Sequence, residues 1–245
     1  MKTIEDTCND EFKLLLTTGS FNKEFIETNN TEIKKIFNYI FLINVIKNRV
    51  ETRKYFAENF NMTFSLMLES SYALYTGQCR AALLLLRSAQ ETNFKFVLER
   101  EREMILKIDP LKSFERLDYR FNDTKRKFLN DVIEFIPKQE YGEYYYTVER
   151  NLTYYKKLCG VAHSESSSIP VLNVNYYSNL YNDTLLSKDD YFKLFTEVLN
   201  AIFSLLFFML RDSLRHWDSF ELLELLHLVF GRKKSKRYME IIKRK

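Results

Sequence analysis

Five glycines and three prolines in 245 residues leave this chain few places to turn sharply. An all-β fold needs a turn after each short strand, and nucleotide-binding loops need clustered glycines, so both are disfavoured. Apolar residues make up 46% of the chain, enough to bury a core and too many for a disordered polymer. They recur with a helical period almost throughout. The expectation is an all-α fold, a multi-helix bundle of seven to eight helices.

The elements read as follows. Ile4 to Leu16 forms a first helix closed by Gly19, followed by a turn at Lys23–Glu27. Thr31 reads as the N-cap of a helix reaching about Asn59, with Ile33, Ile36, Phe37, Ile40, Phe41, Val45 and Ile46 inward. Asn61 or Thr63 opens the longest element, which runs to about Lys107 and is kinked or closely approached at Gly77. Asp109-Pro110 starts another helix, and Asn122-Asp123 and Pro137 bracket the next. Glu143 to Ala162 is Tyr-rich. Ser164 to Leu186, with its serine run, Pro170 and repeated Asn, reads as a long connection. Ser187-x-x-Asp190 starts an apolar helix to about Arg211, and Asp218-x-x-Glu221 starts one closed by Gly231. Three regions result: N-terminal helices over 1–60, a helical core over 61–231 and a basic tail over 232–245.

Charge is divided unevenly along the chain. The last 14 residues carry eight basic side chains and one acid, or +7, within a total of +4, so the rest is mildly acidic. Arg232, Lys233, Lys234, Lys236 and Arg237 in the tail could contact nucleic-acid phosphates. Tyr238, Ile241 and Ile242 also give the tail an apolar face with which to dock as a last helix. Cys8, Cys79 and Cys159 are odd in number and far apart, which suits free thiols in a reducing compartment. The acidic start lacks the apolar run of a signal peptide, and a cytoplasmic location is expected. The five Asn-x-Ser/Thr triplets, at Asn29, Asn61, Asn122, Asn151 and Asn182, then read as chance products. Ile36–Ile46 is too short to cross a membrane, and extending Ala201–Leu210 to a full span brings in Lys193 and Glu197. Both read as core.

Two stretches carry possible chemistry. In Ala73–Glu99 the run Leu83 to Leu86 covers most of the helix circumference, so this helix reads as buried nearly all round. Arg80, Arg87 and Glu91 share one face of it. Arg87 with Glu91 is a natural i,i+4 ion pair, and the alternative is an arginine aimed into a cleft. In Tyr154–Ser164, His163 ends a helical segment where a side chain can face a cleft. His227, among leucines, reads as packed or placed at a subunit seam. No His-x-x-Glu-His, Cys-x-x-Cys, Gly-x-Ser-x-Gly or Walker-type pattern is present, so no metal site and no cofactor are expected.

A helix patterned Gly-x-x-x-Ala-x-x-Leu-Leu-Arg-Ser-x-x-Glu, followed by Tyr-x-x-Leu-x-x-x-x-His, resembles HEPN-like helical proteins over about Leu74–Ser164. More narrowly, it resembles bacterial members with a degenerate catalytic motif. The resemblance implies a HEPN-like core, a homodimer and an RNA-directed role in phage defence or a toxin–antitoxin system. The activity it implies is metal-independent RNA cleavage by an Arg-x4–6-His pair. At His163 the arginine of that motif is replaced, the nearest bases being Lys156 and Lys157, and Lys lacks a bidentate fork. A literal Arg-x4-His stands instead at Arg211 and His216, at a frequency that chance alone would supply. Five residues on a continuous helix also point the two about 140° apart. Catalysis would therefore rest on His163 with Arg87 or Lys157, or on Arg211 with His216, if the helix breaks between them. From a different class comes a non-catalytic helical scaffold or regulatory module that binds a protein partner. A membrane-surface role would rest on the apolar helices and basic tail alone.

Overall fold

A computed structural model describes residues 2–56, 59–117, 121–163, 172–173, 184–185 and 188–243. They form ten α-helices: α1 (Ile4–Thr18), α2 (Lys23–Thr28), α3 (Asn30–Asn48), α4 (Asn59–Tyr75), α5 (Cys79–Ile108), α6 (Phe121–Lys127), α7 (Tyr141–Ala162), α8 (Lys188–Leu214), α9 (Ser219–His227) and α10 (Arg232–Lys243). The all-α bundle is as expected, with more and shorter helices. A two-residue antiparallel ladder joins Leu172–Asn173 to Thr184–Leu185. The rest of the connection read between Ser164 and Leu186 lies outside the described residues, as does Ser187.

The element expected from Asn61 to Lys107 is two helices. Gly77 has a φ of 86°, in the left-handed region, and there the chain reverses into an α4–α5 hairpin. Its N–H donates to the Leu74 carbonyl at 2.9 Å, and the Gln78 N–H donates to the Ala73 carbonyl at 2.8 Å, closing the end of α4. Alanine at position 77 is expected to cost about 1–2 kcal/mol, the penalty of a Cβ in that conformation. A urea midpoint equal to that of the parent chain would contradict this.

Two further boundaries move. α3 stops at Asn48, short of Asn59, because the buried Thr52 hydroxyl turns back to donate to the Ile46 carbonyl. Asp109 closes α5 and does not open a helix. Its carboxylate accepts from the Leu111 N–H at 3.2 Å, and residues 110–117 run without regular structure. Arg102 ties that segment down, donating to the Glu115 carbonyl at 2.9 Å and to Asp131 at 2.5 and 3.0 Å.

α8 is the axis of the bundle, buried almost continuously from Tyr191 to Leu214 and flanked by α3, α5, α7 and α10. Among the described residues it is the one helix long and apolar enough to cross a membrane, and 89% of that apolar window is buried by the other helices. Polar side chains fix its register. Asn151 on α7 donates to the Ala201 carbonyl at 2.9 Å, Gln90 on α5 donates to the Asn151 carbonyl at 2.9 Å, and Asn93 donates to the Ile202 carbonyl at 3.4 Å. Asn29 and Asn151, two of the glycosylation-like triplets, are thus buried structural groups.

One charged cluster sits in this core. Arg211 lies 3.3 Å from Glu101 of α5 and 3.7 Å from Glu140 at the start of α7, and donates to the Phe208 carbonyl at 2.7 Å. Arg215 reaches Glu140 at 3.5 Å and donates to the Ile242 carbonyl of α10 at 3.1 Å. Burial holds the Glu101 carboxyl above its ordinary range despite the attraction of Arg211. The cluster thus joins α5, α7, α8 and α10.

The three cysteines are free thiols. Cys8 donates to the Asn38 side chain at 3.3 Å, and burial pushes its thiol up to about 12. The basic tail packs as a docked helix: α10 buries Ser235, Tyr238, Met239, Ile241 and Ile242 and turns its basic face outward.

Candidate functional site

The motif residues separate in the fold. α8 continues through Leu214, so Arg211 turns inward to its carboxylates while His216, in the following turn, is exposed. His163 is the exposed C-cap of α7, its N–H donating to the Cys159 carbonyl at 2.9 Å. Arg87 does pack against the same end of α7. It donates to the Tyr155 hydroxyl at 3.1 Å and lies over that ring at 5.2 Å. Among the described residues neither a hydrogen bond nor an ion pair joins it to His163 or to Glu91. The expected Arg87–Glu91 pair is replaced by a relay: the Tyr155 hydroxyl donates to Glu91 at 3.4 Å, and Glu91 pairs with Lys95 at 3.1 Å. Tyrosine from α7 thus intervenes between two residues of α5 that the helical spacing alone would pair. Nor is α5 buried all round, since Leu84 is 39% exposed. His227, expected to pack, is exposed at the end of α9.

Charges do converge elsewhere. α7, α8 and α10 enclose a cleft of about 450 Å³ in which Arg150, Lys233, Lys234 and Arg237 face Glu143 and Glu197, a surplus of two positive charges. Each carboxylate is already engaged by an arginine, Glu197 by Arg150 and Glu143 by Arg237. Burial works to raise the Glu197 carboxyl, but Arg150 above all, with Lys234 and the Tyr154 hydroxyl that donates to it at 3.3 Å, holds it below the ordinary carboxylate range. The lysines carry the surplus.

No family model, curated protein or solved structure matches the chain. What the cleft can do therefore follows from its own chemistry.

Lys234 is its focus. Its ammonium sits 4.5 Å from the centroid of the Phe230 ring and makes no ion pair among the described residues. Burial, then repulsion from Arg150, lowers its pKa to about 8; Lys35 and Arg237 add repulsion and Glu197 opposes it. A half-buried cation beside another cation is favourable ground for an anion, which would restore the field lost with solvent. Lysine binds phosphate as a point charge, without demanding one geometry. Lys157 is exposed, 5.4 Å from the Tyr154 ring centroid, and does not itself line the cleft. Lys156, Arg232 and Lys236 are exposed and do not line the cleft. Of the residues proposed from sequence for phosphate contact, Lys233, Lys234 and Arg237 therefore gather at one place. Arg150, Tyr154 and Glu197 were not singled out as contacts. Their only signal was position, on helix faces whose neighbours emerge when α10 docks.

The shift at Lys234 has a consequence for stability. Between pH 8 and 10.5, from the folded to the ordinary value, the unfolded chain holds the proton that the folded chain has lost. Stability from this group therefore rises with pH through that interval. Thermal unfolding compared between the parent and Lys234→Met is expected to show this slope only in the parent. The comparison is best made below the ordinary tyrosine value of 10, where Tyr39, Tyr75 and Tyr144, raised by burial, begin to oppose it. Parallel curves would contradict the assignment.

Proposed function

We propose that this chain is an RNA-directed, HEPN-like helical protein that holds the RNA backbone in the α7–α8–α10 cleft, within a bacterial defence or toxin system. The observation that carries this reading is Lys234, a partly desolvated cation that makes no ion pair among the described residues, set among Arg150, Lys233 and Arg237. Aromatic side chains line the same cleft, which suits a nucleic acid better than a bare inorganic anion. The setting and the RNA-directed role rest on the sequence resemblance.

Binding is favoured over cleavage. Metal-independent cleavage calls for a histidine and an arginine facing the same phosphate. Arg211 is engaged with Glu101 and Glu140, and His163 and His216 each stand exposed at a helix end. This differs from the non-catalytic alternative raised by the sequence, a scaffold or regulatory module for a protein partner, in taking RNA as the partner.

The test is titration of a fluorescent RNA with the protein at low ionic strength, followed by recovery of the RNA from an EDTA-containing mixture. Saturable binding that weakens steeply with salt and leaves the RNA intact is expected. No binding at protein concentrations of about 10⁻⁴ M, the upper range of non-specific association, would sink the proposal. Degradation that disappears in His163→Ala or His216→Ala would replace it with the nuclease.

A further inference from the structure

Four residues one turn apart on α7, Gly142, Tyr146, Arg150 and Tyr154, form a stripe that Lys157 continues, spanning about 22 Å along the axis. Aromatic and cationic side chains alternate along it. Tyr146 is 61% exposed, and Arg150 and Lys157 lie 5.6 and 5.4 Å from the Tyr154 ring centroid. A second cleft, of about 380 Å³, adjoins the first and shares Glu143, Tyr146 and Arg237 with it, extending the groove to Gly142. At Gly142 nothing lies within 4 Å of where a Cβ would stand, so a ligand chain can approach the helix backbone.

A single phosphate needs only Lys234 and its neighbours. A groove of two joined clefts with an exposed aromatic ring between them has the form of a track for a polymer. A tyrosine face can be covered by a base only when that base is not stacked in a duplex. Resting on the RNA-binding reading above, we propose that this groove takes unpaired RNA, with a base stacked on Tyr146 and the adjoining phosphate on Lys234. Tyr141 and Tyr145 supply the internal comparison. They are also exposed, but they stack on each other at 6.5 Å and lie outside both clefts.

The test compares a short unpaired oligouridine with a blunt RNA duplex of equal length by fluorescence anisotropy. The proteins are the parent chain, Tyr146→Ala, Tyr146→Phe, Tyr145→Ala and Lys234→Ala, each with its thermal unfolding measured. The unpaired strand is expected to bind the parent more tightly than the duplex. Tyr146→Ala is expected to weaken it roughly fivefold to a hundredfold, the range of base–aromatic stacking. Tyr146→Phe keeps the ring and should bind as the parent does, as should Tyr145→Ala. Equal affinity for strand and duplex, or a Tyr146→Ala protein that binds unchanged, would overturn the track. If Lys234→Ala alone impaired binding, the phosphate site would survive and the track would not. Failure of the parent to bind either RNA would overturn both.

Discussion

Arg211→Ala is expected to remove about 3–5 kcal/mol of stability, the cost of breaking a buried ion pair from one side. Glu101 and Glu140 are 3% and 1% exposed, and the arginine lies within ion-pair distance of both. Among the described residues, Glu101 then loses its ion-pair partner, and Glu140 keeps only Arg215 at 3.5 Å. Both carboxylates are then left buried with too little opposite charge. His216→Ala is expected to stay within about 0.5 kcal/mol of the parent, as substitutions at exposed positions usually do. Urea midpoints measure both. The contrast separates two roles for one sequence pattern, since a catalytic pair would show equal losses of activity and small losses of stability. An Arg211→Ala protein as stable as the parent would show that the carboxylates find other partners.

The second large effect belongs to Lys234. Its replacement by alanine is expected to weaken RNA binding by about 1.5–3 kcal/mol, or roughly tenfold to a hundredfold, as for the loss of a hydrogen bond to a charged group. Stability should not fall with it. The ammonium is partly desolvated and repelled by Arg150, so removing it relieves a cost in the free protein. Loss of affinity with equal or greater stability is the mark of a group held for a ligand; a structural lysine would lose both. Lys236→Ala, exposed on the same helix but outside the cleft, is the control for a non-specific loss of charge.

Much of the fold could be read from local pattern, because local pattern is what makes a helix. The Asp218 cap is seen directly, its carboxylate accepting from the Phe220 and Glu221 N–H groups at 3.0 and 2.9 Å. The apolar run of α8 and the amphipathic face of α10 likewise followed from side-chain spacing. The hairpin at Gly77 did not. Apolar residues continue through Leu74 and Leu83 with helical spacing on both sides, and only one backbone angle separates a kink from a reversal. The site was visible in part for the same reason. A run of lysines and arginines announces positive charge, but not which three of its members will share a cleft with Arg150 and Glu197, which lie some 40 to 80 positions earlier. Arg211 shows the converse: its spacing to His216 matched a motif, while its burial was decided by Glu101 on α5, 110 residues away in the chain.

The most direct measurement is lysine acylation of the native protein, followed residue by residue by mass spectrometry, with and without a saturating unpaired RNA. Added RNA is expected to protect Lys233 and Lys234 and to leave the exposed Lys13 on α1 reacting at its original rate. Binding of the RNA with Lys233 and Lys234 as reactive as before would place the contact elsewhere and contradict the cleft as the RNA site.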